Sequence, residues 1–121
     1  MSKIKAAAED QVLLVRDGAT ATVILNRPEK LNAINKNMWT RVGSVFRELD
    51  NDEGLRCVVL RGAGDEAVGP GADISEFKTE RNNSREGSVY GRLMHAAMHS
   101  IRDCRHPVVA RIRGLCVGGA L

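Results

Sequence analysis

Two glycine-bearing segments carry the residue types best suited to chemistry in this 121-residue sequence. One is residues 69–74 (GPGADI) and the other is residues 114–120 (GLCVGGA). Glycine lets the main chain approach a ligand with no side chain between. N–H groups at the start of a helix have no partner within it. Two such groups aimed at one point hold an oxygen that gains negative charge during a reaction. Read singly, either segment is also an ordinary tight turn. Neither is G-x-G-x-x-G or a phosphate loop, so the nucleotide fingerprints are absent.

Other reactive side chains have plainer readings beside the functional one. Asp73 follows the first glycine segment and is expected to cap the next turn. His95 and His99 are one helical turn apart, a spacing that binds metal, yet no third ligand is evident and surface histidines are the simpler reading. A nucleophilic Cys116 would need a neighbouring base or cation; Arg113 is the one nearby hint, so a buried, inert thiol is expected. Glu76 and Glu80 are like charges at i,i+4 and read as a solvated face. Cys57, Cys104 and Cys116 are odd in number with no C-x-x-C pair, which argues against a disulfide framework or a zinc site. No metal is expected.

The elements that must position these residues follow from periodicity. Residues 12–16 (VLLVR) and 21–26 (ATVILN), split by Asp17-Gly18, predict a hairpin that Pro28 ends. Asn35 is a candidate N-cap for an amphipathic helix marked by Trp39, Val42, Phe46 and Leu49. Asp50, Asn51, Asp52 and Gly54 close it. Residues 57–60 (CVVL) predict a buried strand, residues 61–73 a glycine-rich loop, and residues 74–78 one helical turn. Residues 79–87 read as a polar, mobile stretch. Tyr90, Leu93, Met94, Ala97 and Ile101 mark a second helix, with Pro107 after its end. Residues 108–112 (VVARI) predict another strand. Strand–helix–strand alternation implies an α/β sheet, and its strands' carboxyl ends would bring both glycine segments to one crevice. No repeat, low-complexity segment or linker is visible.

Composition is that of a soluble globular domain: 43% apolar and 27% charged. Aromatics are only 3%, so the core must rest on aliphatic residues. A net charge of +3 suits an anionic ligand only weakly. The 13 arginines and 5 lysines are scattered without interleaved aromatics, which argues against nucleic acid. No apolar run is long enough to span a membrane, and the N-terminus lacks a signal peptide's apolar stretch, so a cytoplasmic location is expected. The sequence stops two residues after Gly119. A strand followed by a Gly-Gly turn normally feeds a covering helix, so truncation is expected rather than a frayed terminus.

The motifs together resemble the crotonase (enoyl-CoA hydratase/isomerase) family. Residues 24–35 (ILNRPEKLNAIN) resemble its N-terminal signature, residues 67–77 (AVGPGADISEF) its first oxyanion segment, and residues 113–120 (RGLCVGGA) its second. The resemblance covers residues 1–121 but only the N-terminal portion of one family domain. It implies an α/β, crotonase-like spiral of ββα units, truncated after the second oxyanion segment. It implies that the N–H groups of Ala72 and Gly119 hold a thioester oxygen as an enolate forms. It further implies that Leu31 and Ala33 line a coenzyme A channel, and that Pro70, Gly71, Asp73, Ile74, Val117 and Gly118 contact an acyl-CoA substrate.

The implied reaction is hydration of a 2-enoyl-CoA in fatty acid metabolism. No cofactor is implied, since coenzyme A is part of the substrate. Isomerase, hydrolase and decarboxylase members share the same motifs. A few members use a histidine from the second helix, which makes His95 an acyl-pocket candidate. Val68 stands where Phe is usual, Pro70 where Ala or Ser is usual, and Ala120 in place of a third glycine. The family's two acid–base carboxylates would fall beyond Leu121, as would the helices that build its homotrimer or hexamer. A non-catalytic fragment is therefore the competing expectation. An RNA-binding relative would need a Lys-rich helix face, which neither helix supplies.

Overall fold

The computed structural model describes residues 3–4, 10–76 and 84–121. Strand β1 (Lys3–Ile4) and the hairpin of β2 (Val12–Asp17) and β3 (Thr20–Leu25) begin a five-stranded sheet. Asp17 pairs with Thr20 across the turn, where Gly18 takes a φ of 61°. Gly18 and Ala19 are the two loop residues, and a positive φ at the first of them is what a Gly-X hairpin turn needs. Helix α1 (Lys36–Asp50) then leads to β4 (Cys57–Gly62), which pairs parallel with β3. Helix α2 (Ser84–Arg102) leads to β6 (Val108–Arg111), parallel to β4. The sheet order is β1-β2-β3-β4-β6. Strands β5 (Ala67–Gly69) and β7 (Leu115–Cys116) form a separate parallel pair.

Local chemistry explains α1. The Asn35 side chain accepts a hydrogen bond from the Met38 N–H at 2.9 Å, satisfying one of the unpaired first-turn donors. Asn51 caps the other end, and the Asp52 carboxylate accepts from the Gly54 N–H. Trp39, Val42, Phe46 and Leu49 all point inward and are buried, as their spacing predicts. They join Val12, Leu14, Val23 and Val58 from the sheet in one core. Tyr90 and Ala97 from α2 close it, with Leu93, Met94 and Ile101 partly buried at its margin.

The structure corrects several boundaries. Strand β4 is central, but only Val58 and Gly62 of it are buried, because the helices cover one face of the sheet and the other is partly open. The glycine-rich stretch 61–73 is not all loop: β4 continues to Gly62 and β5 lies within it. Its partner β7 is far away in sequence, so no local pattern announces the pairing. The predicted turn over 74–78 is a 3-10 turn over Ile74–Glu76, with the rest outside the described residues. Of the stretch read as polar and mobile, 79–83 lie outside the described residues, and 84–87 are the first turn of α2. At the far edge, Val109 and Ile112 are 52% and 55% exposed.

Phe46 is fully buried at the centre of this aliphatic core. Phe46→Ala is expected to lower stability by about 3–5 kcal/mol. A shift of the urea unfolding midpoint measures it; an unchanged midpoint would mean that this core does not carry the fold.

Candidate functional site

The two glycine segments meet. Val117 donates its N–H to the Gly69 carbonyl at 3.1 Å, extending the β5–β7 pairing to the turns that follow. Gly71 has a φ of 102°, and a Cβ there would sit 2.8 Å from the Gly119 nitrogen. Only glycine permits both that conformation and that approach. On the other side, Ile34 forms a parallel bridge with Ala72. The Ile34 N–H donates to the Gly71 carbonyl, and the Asp73 N–H donates to the Ile34 carbonyl, both at 2.8 Å. In a parallel bridge the residue between those two contacts turns its own N–H to the opposite edge. For Ala72 that edge faces Gly119: a Cβ on Gly119 would lie 3.8 Å from the Ala72 nitrogen.

Neither the Ala72 N–H nor the Gly119 N–H donates to any described residue. Gly119 lies in the 3-10 turn Gly118–Ala120, among the early donors such a turn leaves open. The Trp39 ring supports it from the core side, since a Cβ on Gly119 would sit 3.3 Å from the ring edge. Trp39 is buried, and its indole N–H has no partner among the described residues.

Charged and amide side chains lock these turns to residues 27–36. The Arg27 guanidinium donates to Asp73 Oδ2 at 2.6 Å and to the Ala33 carbonyl at 3.2 Å. Asp73 Oδ1 accepts from the Ser75 hydroxyl at 2.6 Å and the Ser75 N–H at 2.9 Å. These contacts, the Ser75 hydroxyl foremost and then Arg27, hold the Asp73 pKa down at about 2, against an ordinary 3.8. Asp73 thus caps the turn that follows it, and its carboxylate is an ionised structural group. Glu76 is not a merely solvated charge either: it accepts from the Lys36 N–H at 2.9 Å and from the Tyr90 hydroxyl, tying the turn to both helices.

Asn32 is a positioning residue that sequence reasoning missed. It is 1% exposed and held in the left-handed region at a φ of 64°. Its Oδ1 accepts from the Arg27 N–H at 2.9 Å, and its Nδ2 donates to the carbonyls of Ala63 and Ala67. Asparagine tolerates that backbone better than most residues. The signal was its place in the Asn-Ala pair after Asn26-Arg27-Pro28.

The other sequence candidates separate into two groups. Pro70 lies with Gly71 and Ala72 against Gly118 and Gly119. Val117 caps their turn, half-exposed, and Ala33 is half-buried beside Ile34. Leu31 and Ile74 are exposed, at 41% and 75%. Leu31 lines a cleft with Pro28, Asn32 and residues 63–67. His95 and His99 are exposed and stack with ring centroids 6.1 Å apart. No cluster of metal-ligating residues occurs among the described residues. Arg113 pairs with Asp65 rather than with Cys116, whose thiol points to the Ala120 carbonyl. Glu80 lies outside the described residues.

Comparison with known proteins gives a family for the chain. The family model for enoyl-CoA hydratase/isomerase matches residues 20–121. A short-chain-enoyl-CoA hydratase of Clostridium acetobutylicum is 36% identical over 110 residues, covering 91% of this chain and 41% of its own. The human mitochondrial 3-hydroxyisobutyryl-CoA hydrolase is 32% identical over 122 residues, covering 100% and 31%. A solved enoyl-CoA hydratase/carnithine racemase from Magnetospirillum magneticum superposes with a TM-score of 0.89 at 46% identity, covering 92% of this chain and 42% of that one. The chain thus spans less than half the length of these relatives.

Asp73→Asn keeps the shape of the side chain and removes its charge. At neutral pH it is expected to cost on the order of 1–3 kcal/mol. Because folding lowers this pKa, the stabilisation is complete above the ordinary carboxylate value of about 4. It is lost as pH falls through about 2. The stabilities of wild type and variant should therefore converge across that window, as measured by denaturant titration. A gap that stays constant through it would show that the charge contributes nothing.

Proposed function

The chain belongs to the enoyl-CoA hydratase/isomerase family, and we propose that it polarises an acyl-CoA thioester between the N–H groups of Ala72 and Gly119. One observation carries this reading: two N–H groups on converging segments, neither with a partner among the described residues. They have no role in the sheet or the turns. A thioester oxygen that accepts from both is stabilised most when it carries an enolate's charge. Removing one such donor typically costs about 3–4 kcal/mol in the barrier.

Hydration of a 2-enoyl-CoA is the reaction proposed, supported by the hydratase named among the relatives. Water oxygen bonds to the β carbon as one of its O–H bonds breaks and the proton passes to a general base, and the π electrons move through the α carbon onto the thioester oxygen. The enolate then collapses as the α carbon takes a proton from a general acid, so that H and OH of one water are added across the double bond. The same polarised thioester serves an isomerase or a hydrolase, both of which also occur among the relatives. Coenzyme A arrives with the substrate, so no resident cofactor is needed. Exposed Leu31 and Ile74, with Ala33, Pro70, Gly71, Val117 and Gly118, are proposed as the surface that the ester lies against.

Asp73 does not serve as the acid or base. It is already ionised, and Arg27 and Ser75 occupy both of its oxygens. General acid–base catalysis needs a free group within hydrogen-bond reach of the reacting atoms. The family resemblance puts those carboxylates beyond Leu121, so these 121 residues are expected to polarise a thioester weakly and not to hydrate crotonyl-CoA.

Trp39 is the one tryptophan of the sequence and a Cβ on Gly119 would lie 3.3 Å from its ring, so its fluorescence reports on the site. Binding of a conjugated dienoyl-CoA is expected to change that emission and to move the dienoyl absorbance to longer wavelength. Ala72→Pro removes one donor N–H that the Ile34 bridge does not use, and is expected to abolish the absorbance shift. A ligand that binds without any shift would defeat the polarisation reading. Turnover of crotonyl-CoA by the 121-residue chain would place a catalytic acid or base within it.

A further inference from the structure

A second feature lies at the carboxyl ends of the parallel strands. Arg61 on β4 and Arg111 on β6 are direct partners in the parallel register, so their side chains leave the same face of the sheet. Like charges directly opposite on neighbouring strands are destabilising. The sequence nevertheless places them there and adds Arg113 just beyond. All three line one cleft of about 220 Å³, together with Gly62, Gly64, Asp65, Ala67 and Val68.

The local charges are far from balanced. Three guanidinium groups face one carboxylate, that of Asp65. Arg61 is oriented by a hydrogen bond to the Gly62 carbonyl at 3.1 Å, a contact that leaves its charge uncompensated. Arg113 pairs with Asp65 at 2.7 Å, but the two side chains are 56% and 81% exposed. A pair so open to water is worth little and exchanges readily. No described residue accepts a hydrogen bond from Arg111. The planar fork of arginine matches the oxygens of a phosphate in bidentate fashion. The edge outside the strands' carboxyl ends is also where open α/β sheets bind ligands.

We propose that the Arg61–Arg111–Arg113 cleft is a binding site for a phosphate group. A dianion bridging Arg61 and Arg111 converts their repulsion into two attractive contacts and displaces Asp65 from Arg113. The site stands apart from the thioester reading, because it uses neither the Ala72 nor the Gly119 N–H. The phosphate is either free, as an inorganic or diphosphate ion, or borne by the nucleotide part of a coenzyme A ester.

Calorimetric titration of the 121-residue protein with inorganic pyrophosphate tests the site. Saturable binding that weakens with added salt is expected. Arg111→Gln should weaken it about tenfold. Asp65→Asn, at an exposed position, should tighten it, a gain that damage to the fold would not produce. Parallel titrations with coenzyme A and with pantetheine separate the sources. If Arg111→Gln weakens coenzyme A and leaves pantetheine unchanged, the phosphate is nucleotide-borne; if it weakens pyrophosphate alone, the ligand is a free anion. No saturable pyrophosphate binding, or binding indifferent to both substitutions, would overturn the proposal.

Discussion

The Asp73 carboxylate lies 2.6 Å from the Arg27 guanidinium, and the pair is largely withdrawn from water. A charge so placed is tolerated only when its partner and further hydrogen bonds satisfy it. Ser75 supplies those bonds. The consequence is geometric. Residues 73–76 are fixed against residues 27–36 at both of their ends, by Arg27 on Asp73 and by Glu76 on the first turn of α1. With the segment clamped, the Ile34–Ala72 bridge has one register and the Ala72 N–H one direction.

That clamp rests on the packing beneath it. Helix α1 carries the Trp39 ring under Gly119 and, at its start, the Lys36 N–H that holds Glu76. The same helix buries Phe46 and Leu49 against the sheet and packs on α2. The core thus sets the height of one glycine turn, while the polar network sets the position of the other. A small core of mainly aliphatic residues suffices for this because the turns are joined by main-chain bonds, which are short and directional.

Both glycine segments follow parallel strands, so the fold delivers them to the same edge. The Arg61–Arg111 pair lies on that edge for the same reason. A parallel register aligns residues near the ends of neighbouring strands, whatever their distance in the sequence. It brings together groups that need one another as well as groups that repel.

Much of this was legible from the sequence. The hairpin at Asp17-Gly18, the Asn35 cap and the inward face of α1 are local, because turn chemistry and helical periodicity act over a few residues. The three motifs, in their order, pointed to the right family. The β5–β7 pair, the clamp of Asp73 by Arg27 and the burial of Asn32 were not legible. Each joins residues 30 or more positions apart, and nothing in a local pattern specifies such a partner. The sequence by itself determined which groups are available: glycines free of side chains, N–H donors and a capping carboxylate. Beyond the meeting of the two glycine segments, which the strand order implies, tertiary structure decided which of them meet, because a hydrogen bond forms only at about 3 Å, and only the folded sheet brings segments so far apart in the chain that close.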